Sequence, residues 1–412
     1  MKKATKILAV LLVIALAVGV FAACTKKPEN EKEPEAEKIK IGFIMLHDEN
    51  STYDLNFING AKEACEKLGV EAVIKTNIPE GSECYETAAD LADQGCKLVF
   101  ADSFSHEDFM IQAAKEFPDV EFCHATGTKA HTENLPNFHN AFASIYEGRY
   151  LAGVAAGMKL NEMIENGTEI NGTVVTADNA KIGYVGAFTY AEVVSGLTSF
   201  YLGAKSVCPT ATMKVRYTGS WYDPDQEQEA ANALIQKDKC VLISQHADSL
   251  GAPTACEVAG VPNVSYNGST YDAGKNTFLV SSAINWAPYF QYIIESVVKG
   301  EEFDTDWCGN IETNSVVLSG LNLDVVAKGT ENKVKEAIDG FKAGTLKVFA
   351  IDTFNASAIV DGKYLADIDG DFTGDTNVIH DGYFDESNAA DFRSAPYFDI
   401  NIDGITFLNT KV

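Results

Sequence analysis

The chain has 412 residues, 46% hydrophobic and 22% charged, which is enough for two ordinary domains with a sizeable core and too apolar for a disordered protein. Its 32 Lys and Arg against 59 Asp and Glu give a formal net charge of -27. With no basic stripe to meet phosphates, that balance argues against nucleic acid as a partner, and the acidity itself serves solubility.

The front end reads as a targeting signal. Lys2, Lys3 and Lys6 precede an uncharged apolar run over residues 7–21, short for a membrane span and typical of a signal peptide. The run ends Phe21-Ala22-Ala23-Cys24, small residues directly before a cysteine, as in a bacterial lipobox, with Phe at the first position where Leu is commoner. Residues 1–23 are thus expected to be a lipoprotein signal peptide, and Cys24 the lipidated first residue of the mature chain. Residues 24–38, rich in Lys, Glu and Pro with nothing to build a core, form a hydrated tether. These features place the body on the extracytoplasmic face of a bacterial cell membrane, held by lipid on Cys24. Eight further cysteines (Cys65, Cys84, Cys96, Cys123, Cys208, Cys240, Cys256 and Cys308) show no CxxC spacing, so neither a zinc ribbon nor a thioredoxin motif is present. Export permits disulfides, but the sequence does not choose pairs.

The body opens on Lys40-Ile41-Gly42-Phe43-Ile44, an apolar strand, followed by Gly60-Ala61-Lys62 on a helix, a strand at residues 70–75, a helix near 85–94 and a strand at 97–101. After Phe117 to Gly127 and a polar stretch comes Tyr146-Glu147-Gly148-Arg149-Tyr150-Leu151-Ala152-Gly153, whose small residues Gly153, Ala156 and Gly157 predict a tightly packed helix. A polar loop over 161–180 separates this from a second copy of the opening grammar. That copy runs Lys181-Ile182-Gly183-Tyr184-Val185, then Gly203-Ala204-Lys205, a helix holding Ala230 to Leu234, and the strand Cys240-Val241-Leu242-Ile243. Strand, helix, strand, helix, strand is the pattern of a parallel sheet wrapped by helices. Two copies predict an α/β protein of two Rossmann-like lobes with parallel sheets, a hinge, and a cleft between them. Ligands in such sheets sit beyond the carboxyl ends of strands, which points to residues 47–56 and 102–108 in the first lobe.

The stretch Phe122-Cys123-His124-Ala125-Thr126-Gly127 and the following Tyr146-to-Gly157 run resemble the basic membrane protein, or PnrA-like, family of ABC-transporter solute-binding lipoproteins. The likeness continues through Glu192-Val193, Ser220-Trp221-Tyr222-Asp223-Pro224, Gln245-His246-Ala247-Asp248-Ser249 and Ile284-Asn285-Trp286-Ala287-Pro288-Tyr289, covering roughly residues 39–320. The resemblance implies a type I periplasmic-binding-protein fold, a purine nucleoside as ligand and an ABC permease in the membrane as partner, with no cofactor and no catalysis. Crossings between lobes are expected near residues 155, 280 and 320. Lobe 1 then comprises 39–155 with about 280–320, and lobe 2 comprises 156–279 with about 321–412, including an Asp/Gly-rich C-terminal extension.

A nucleoside presents a flat π face and a ribose diol, so a cleft for it wants aromatic plates and carboxylates or amides. By the resemblance, Tyr53 and Trp221 fall where the family carries its two aromatics, and Asp54 where many members have Asn. Asp108, Asp248 and Asn267 are candidates by position at or after strand ends, and Asn285 stands where some members have Lys. A sensory receptor of the same fold is the nearest rival reading, and a surface nucleoside-acting enzyme a more distant one. No Gly-x-Ser-x-Gly elbow, Walker loop or Gly-x-Gly-x-x-Gly supports chemistry, and His124, His131 and His139 lack zinc-ligand spacing. In the extension, Asp367-Ile368-Asp369-Gly370-Asp371 fails as an EF-hand, because Phe372 and Val378 stand where Gly and Glu are required. A β-hairpin with an Asp-Gly turn is expected there, and no metal.

Overall fold

The computed structural model describes residues 38–409. Cys24, the signal peptide and nearly all of the tether lie outside the described residues.

The principal elements alternate as the sequence grammar requires. The first unit runs β1 (Lys40–Ile44), α1 (Thr52–Leu68), β2 (Glu71–Lys75), α2 (Ser82–Asp93), β3 (Cys96–Ala101), α3 (Glu107–Glu116), β4 (Glu121–Ala125) and β5 (Phe138–Ala143). The second unit follows with α4 (Ile145–Asn166), β6 (Lys181–Gly186), α5 (Ala191–Val207), β7 (Thr212–Tyr217), α6 (Pro224–Gln236), β8 (Leu242–His246), α7 (Gly251–Ala259), β9 (Asn263–Tyr266) and β10 (Phe278–Ile284). The chain then returns through α8 (Ala287–Lys299) and β11 (Asp306–Gly309) before β12 (Val316–Leu318), α9 (Thr330–Lys342) and a last strand β13 (Ile405–Phe407).

Two sheets result. The first has the order β11-β5-β4-β3-β1-β2 and is parallel throughout. The second has the order β12-β10-β9-β8-β6-β7-β13, parallel except for β12. Strands buried on both faces read as continuous apolar runs, which is why β1, β3, β6 and β8 stand out in the sequence. The repeat extends to side-chain packing. A Cβ on Gly42 would lie 2.9 Å from Leu91 of α2, and one on Gly183 would lie 3.0 Å from Leu234 of α6. Each glycine is the hole into which the helix after the next strand drops a leucine.

The predicted tight helix is α4, but from Gly153 onward it packs on α5 of the second unit. Cβ atoms on Gly153 and Gly157 would come within 2.0 and 2.4 Å of the carbonyls of Phe200 and Ala204, so the two backbones touch where those glycines stand. Consequently the chain leaves the first sheet at Ser144, where β5 ends, and not near 155. Because β10 belongs to the second sheet, the return falls at residues 285–286. The last crossing lies between Gly309 of β11 and Val316 of β12. The sequence shows where helices are, not which sheet they cover, so these joints shift by about four to eleven residues from the expected 155, 280 and 320.

Residues after α9 pack mainly on the second unit, whose core takes in Phe349, Phe384 and Phe398. Residues 365–377 of the extension do pair as short antiparallel strands, Leu365–Ala366 with Thr376–Asn377, but through a nine-residue loop instead of a tight Asp-Gly turn. Within that loop one carboxylate oxygen from each of Asp367, Asp369 and Asp371 lies within 4.8 Å of the others. Backbone amides already bond these groups: Gly370 and Phe372 donate to Asp367, Asp371 to Asp369, and Thr373 to Asp371. The eight described cysteines are free.

Candidate functional site

The carboxyl ends of both sheets face a narrow cavity of about 20 Å³, room for little more than one water molecule as the lobes stand. Five of the residues singled out in the sequence line it: Tyr53, Asp54, Trp221, Asp248 and Asn267.

Tyr53 sits in the first turn of α1. Its hydroxyl donates to the Asp102 carbonyl at 2.7 Å and its ring meets Phe57 edge-on at 4.8 Å. Asp54 is buried and engaged from several sides. His47 donates its backbone amide to Oδ1 at 2.7 Å, and Ser51, the N-cap of α1, donates its hydroxyl to Oδ2 at 2.6 Å. Burial alone would raise the Asp54 pKa, yet these bonds from His47 and Ser51 hold it below the usual carboxylate range. Asp54 therefore shapes the loop in front of Tyr53. Behind both lies Asp102, wholly buried and pushed well above the ordinary range by burial and by the neighbouring Asp54 charge.

Trp221 enters from the loop after β7. Its ring meets Phe188 edge-on at 5.1 Å and Tyr190 at 6.0 Å. Its carbonyl accepts the Asp248 amide at 2.9 Å, which ties the ring to the carboxylate beside it. Asn267 holds φ 62°, the left-handed region that Asn tolerates better than most residues. There its side-chain amide donates to Asp248 Oδ1 at 3.1 Å. Burial, followed by the charges of Asp54 and Glu227, raises the Asp248 pKa well above its usual value.

Two singled-out residues lie elsewhere. Asp108 falls in the first turn of α3, its side chain 70% exposed and bonded to Lys129 at 2.6 Å. It lines a neighbouring, wider cavity. Asn285 is spent on the second crossing, accepting the Ala287 amide and donating to the Asn314 carbonyl.

The cavity also uses residues not singled out individually in the sequence, among them Phe104 of the 102–108 loop, Glu192, His246 and Tyr266. His246 and Tyr266 are the last residues of β8 and β9, their rings 4.0 Å apart. His246 Nε2 lies 3.5 Å from Glu192 Oε1, and burial lowers its pKa despite that carboxylate. Among the described residues the Tyr266 hydroxyl and His246 Nδ1 have no hydrogen-bond partner, an expensive state that a polar ligand would relieve. Their support is Arg149 of α4, fully buried. It donates to the Ser265 carbonyl, Tyr184 Oη and Ser244 Oγ at 3.0, 3.1 and 2.8 Å, and its guanidinium lies 5.2 Å from the centre of the Tyr266 ring. One side chain thus ties together β6, β8 and β9. The signal that could have found these residues was the strand-end rule itself, applied at β8 and β9.

Direct contacts join the two units around the cavity. Asn56 donates to the Asn267 carbonyl at 2.8 Å, Phe104 stacks on Tyr190 at 5.4 Å, and His47 meets Tyr222 at 5.4 Å. The lining carries Asp54, Asp248 and Glu192, with no Lys or Arg. A neutral, flat, hydroxyl-bearing ligand suits such a site, whereas a phosphate would meet only like charge.

Comparison with known proteins agrees with this architecture. The Bmp family profile, described as "ABC transporter substrate-binding protein PnrA-like", matches residues 42–340. A purine-binding protein of Brucella abortus (strain 2308) is 34% identical over 269 residues, 64% of this chain and 70% of the relative. A putative ABC transporter glucose-binding protein of Haloferax volcanii is 36% identical over 250 residues, 59% of this chain and 58% of the relative. Among solved structures, an ABC transporter system solute-binding protein from Conexibacter woesei DSM 14684 superposes with a TM-score of 0.60 at 21% identity. That match covers 75% of this chain and 98% of the other, and it shows the shared two-lobed solute-binding fold.

Proposed function

This chain belongs to the PnrA-like family of ABC transporter substrate-binding proteins, and from that premise we propose that it captures a purine nucleoside between its lobes and passes it, chemically unchanged, to an ABC permease. In this reading the protein works on the outer face of a bacterial membrane, anchored by lipid on Cys24.

The observation that carries the ligand class is the lining: aromatic side chains from both lobes, Tyr53 and Phe104 from one and Trp221 from the other, beside carboxylates and without a cation. Stacking a base on an aromatic ring is worth roughly 1–3 kcal/mol. Asp248, with Asn267 occupying only Oδ1, offers an acceptor to ribose hydroxyls. The purine named for the Brucella relative supports the base. Closure over the ligand follows from the split site, since a ligand gains contacts from both lobes only when they are shut.

The glucose named for the Haloferax relative motivates a second reading, because a sugar ring also lies flat on an aromatic and offers diols to a carboxylate. One calorimetric series separates the two. Inosine, guanosine, adenine, glucose and guanosine monophosphate are titrated into the purified protein. Tight binding of the nucleosides, weak binding of glucose and none of the monophosphate is the expected pattern. Preferred binding of glucose would replace the nucleoside reading.

A further inference from the structure

Residues after 340 lie beyond the family match, and their contacts reach both lobes. On the second lobe the extension is anchored in the core. Phe349 meets Tyr146 of α4 at 5.4 Å and joins the second unit's apolar core together with Phe384 and Phe398, and β13 adds a parallel edge strand beside β7. Between these anchors the chain crosses to the first lobe. Ser394, wholly buried, donates its amide and its hydroxyl to Asp306 Oδ1 at 3.0 and 2.8 Å. Asn140 donates to the same hydroxyl at 2.6 Å. Asn140 and Asp306 are register partners on β5 and β11, so this button is set into the edge of the first sheet. A second contact lies nearer the cleft, where a Cβ on Gly370 would stand 2.5 Å from Thr128 Oγ1. From there Asp367, Arg393 and Pro396 wall the wider cavity of about 400 Å³, which shares Phe104, Thr126 and Glu192 with the first.

We propose that the C-terminal extension is a strap. It is fastened to the second lobe by its aromatic residues and β13, is buttoned to the first lobe at Ser394, and holds the flank of the cleft shut until Ser394 leaves Asp306 and Asn140. Asp306 lies three residues from Gly309, where the chain crosses between lobes. At ~3.3 Å per residue that is a lever of roughly 10 Å. A rotation of about 15° carries its end roughly 2–3 Å, more than a hydrogen bond tolerates. Opening therefore breaks the button, and ligand exchange is slowed by it.

The proposal rests on the reading that the lobes open for ligand exchange, but its test needs no ligand. The Thr52 amide donates across the cleft to the Asp248 carbonyl, so hydrogen exchange of peptides covering residues 46–57 reports lobe opening. Exchange is followed in the ligand-free mature protein and in its Ser394→Ala and Asp306→Ala variants, which weaken the button from opposite lobes: the first removes both hydroxyl bonds and keeps the amide bond, the second removes both bonds to Asp306. Both variants are expected to speed exchange in 46–57 about tenfold, with peptides of β1, β6 and β8 unchanged and a larger radius of gyration by X-ray scattering. Parent-like exchange in 46–57 in either variant overturns the strap. So does faster exchange spread evenly over the core strands, because that would mark loss of fold instead of opening.

Discussion

The backbone carbonyl of Asp248 accepts two hydrogen bonds from Thr52, 3.1 Å from its amide and 3.2 Å from its hydroxyl. The first turn of α1 in one lobe is thereby seated on the loop that ends β8 in the other. Because Asp248 also faces the cavity, the same residue that would hold a ligand registers whether the lobes are closed.

Thr52→Val keeps the shape and the amide bond and removes the hydroxyl donor. A single neutral hydrogen bond is worth about 0.5–1.5 kcal/mol, so nucleoside affinity should fall roughly twofold to tenfold. The loss should appear in the dissociation rate by stopped-flow, with the association rate little changed. An unaltered dissociation rate would show that this contact is not part of closure.

The two aromatic plates are expected to act independently of fold. Tyr53→Ala and Trp221→Ala should each cost about 1–3 kcal/mol of binding, and Trp221→Phe should recover most of the loss because it keeps a π face, whereas Trp221→Leu should not. Calorimetric titration beside melting of the ligand-free variants checks this. Normal binding by Trp221→Ala would move the site toward Tyr266 and Asn267.

How much of this was legible in the sequence depends on how local the cause is. The doubled lobe was, because Gly42 with Leu91 and Gly183 with Leu234 repeat a packing rule at the same place in each unit. Tyr53 and Trp221 were picked from the family resemblance, Asp248 and Asn267 from their place at or after a strand's carboxyl end, and all four line the cavity. Within the 102–108 loop Asp108 was singled out and Phe104 was not, and the structure places them apart. The loop after β3 tightens into a 3-10 turn at Phe104–His106, which lends Phe104 to the cavity and delivers Asp108 into α3. His246 and Tyr266 end buried strands, and a one-residue difference in strand length decides between core and cleft. The strand-end rule reaches them only once each strand's last residue is placed, which an apolar pattern leaves open by one or two residues.

Removing the charge at Asp248 should separate it from Asp108. Asp248→Asn keeps an acceptor for Asn267 and loses a charge-assisted bond worth about 1.5–3 kcal/mol, a tenfold to hundredfold loss of nucleoside affinity. Asp108→Asn, at an exposed ion pair with Lys129, should leave affinity unchanged. Burial raises the Asp248 pKa, so binding that draws on its ionised form should strengthen as pH rises and release a proton, visible as buffer-dependent enthalpy. The Asn variant should lose that buffer dependence.

Lipidation is tested on the intact precursor. Cys24→Ser should shift the protein from the membrane to the soluble fraction while nucleoside affinity holds, since residues 38–409 carry the whole cavity. A variant that still acquires lipid would place the anchor elsewhere.

Stability should fall as pH rises, through buried glutamates that fold in their neutral form. Burial raises Glu147 to about 7, Glu227 to about 7 and Glu386 to about 8, from an ordinary 4.5. Each group binds its proton more tightly in the folded than in the unfolded chain. Their contribution is therefore fully present below about pH 4.5 and is lost as pH climbs through 7 to 8. Asp54 and Asp238 act in the opposite sense, since their lowered values withdraw stability as pH falls below the ordinary carboxylate range. The melting temperature should accordingly peak near pH 5 and decline toward pH 8. Glu227 isolates the effect. Its Oε1 accepts the Asp223 and Ser249 amides at 3.3 and 3.2 Å, and its Oε2 has no partner, so Glu227→Gln preserves the bonds and removes only the titration. That variant should match the parent at pH 5 and exceed it at pH 8 by up to about 3 kcal/mol in chemical unfolding. Equal stability of the two proteins at pH 8 would mean that Glu227 is hydrated in the folded chain and ionises at its ordinary value.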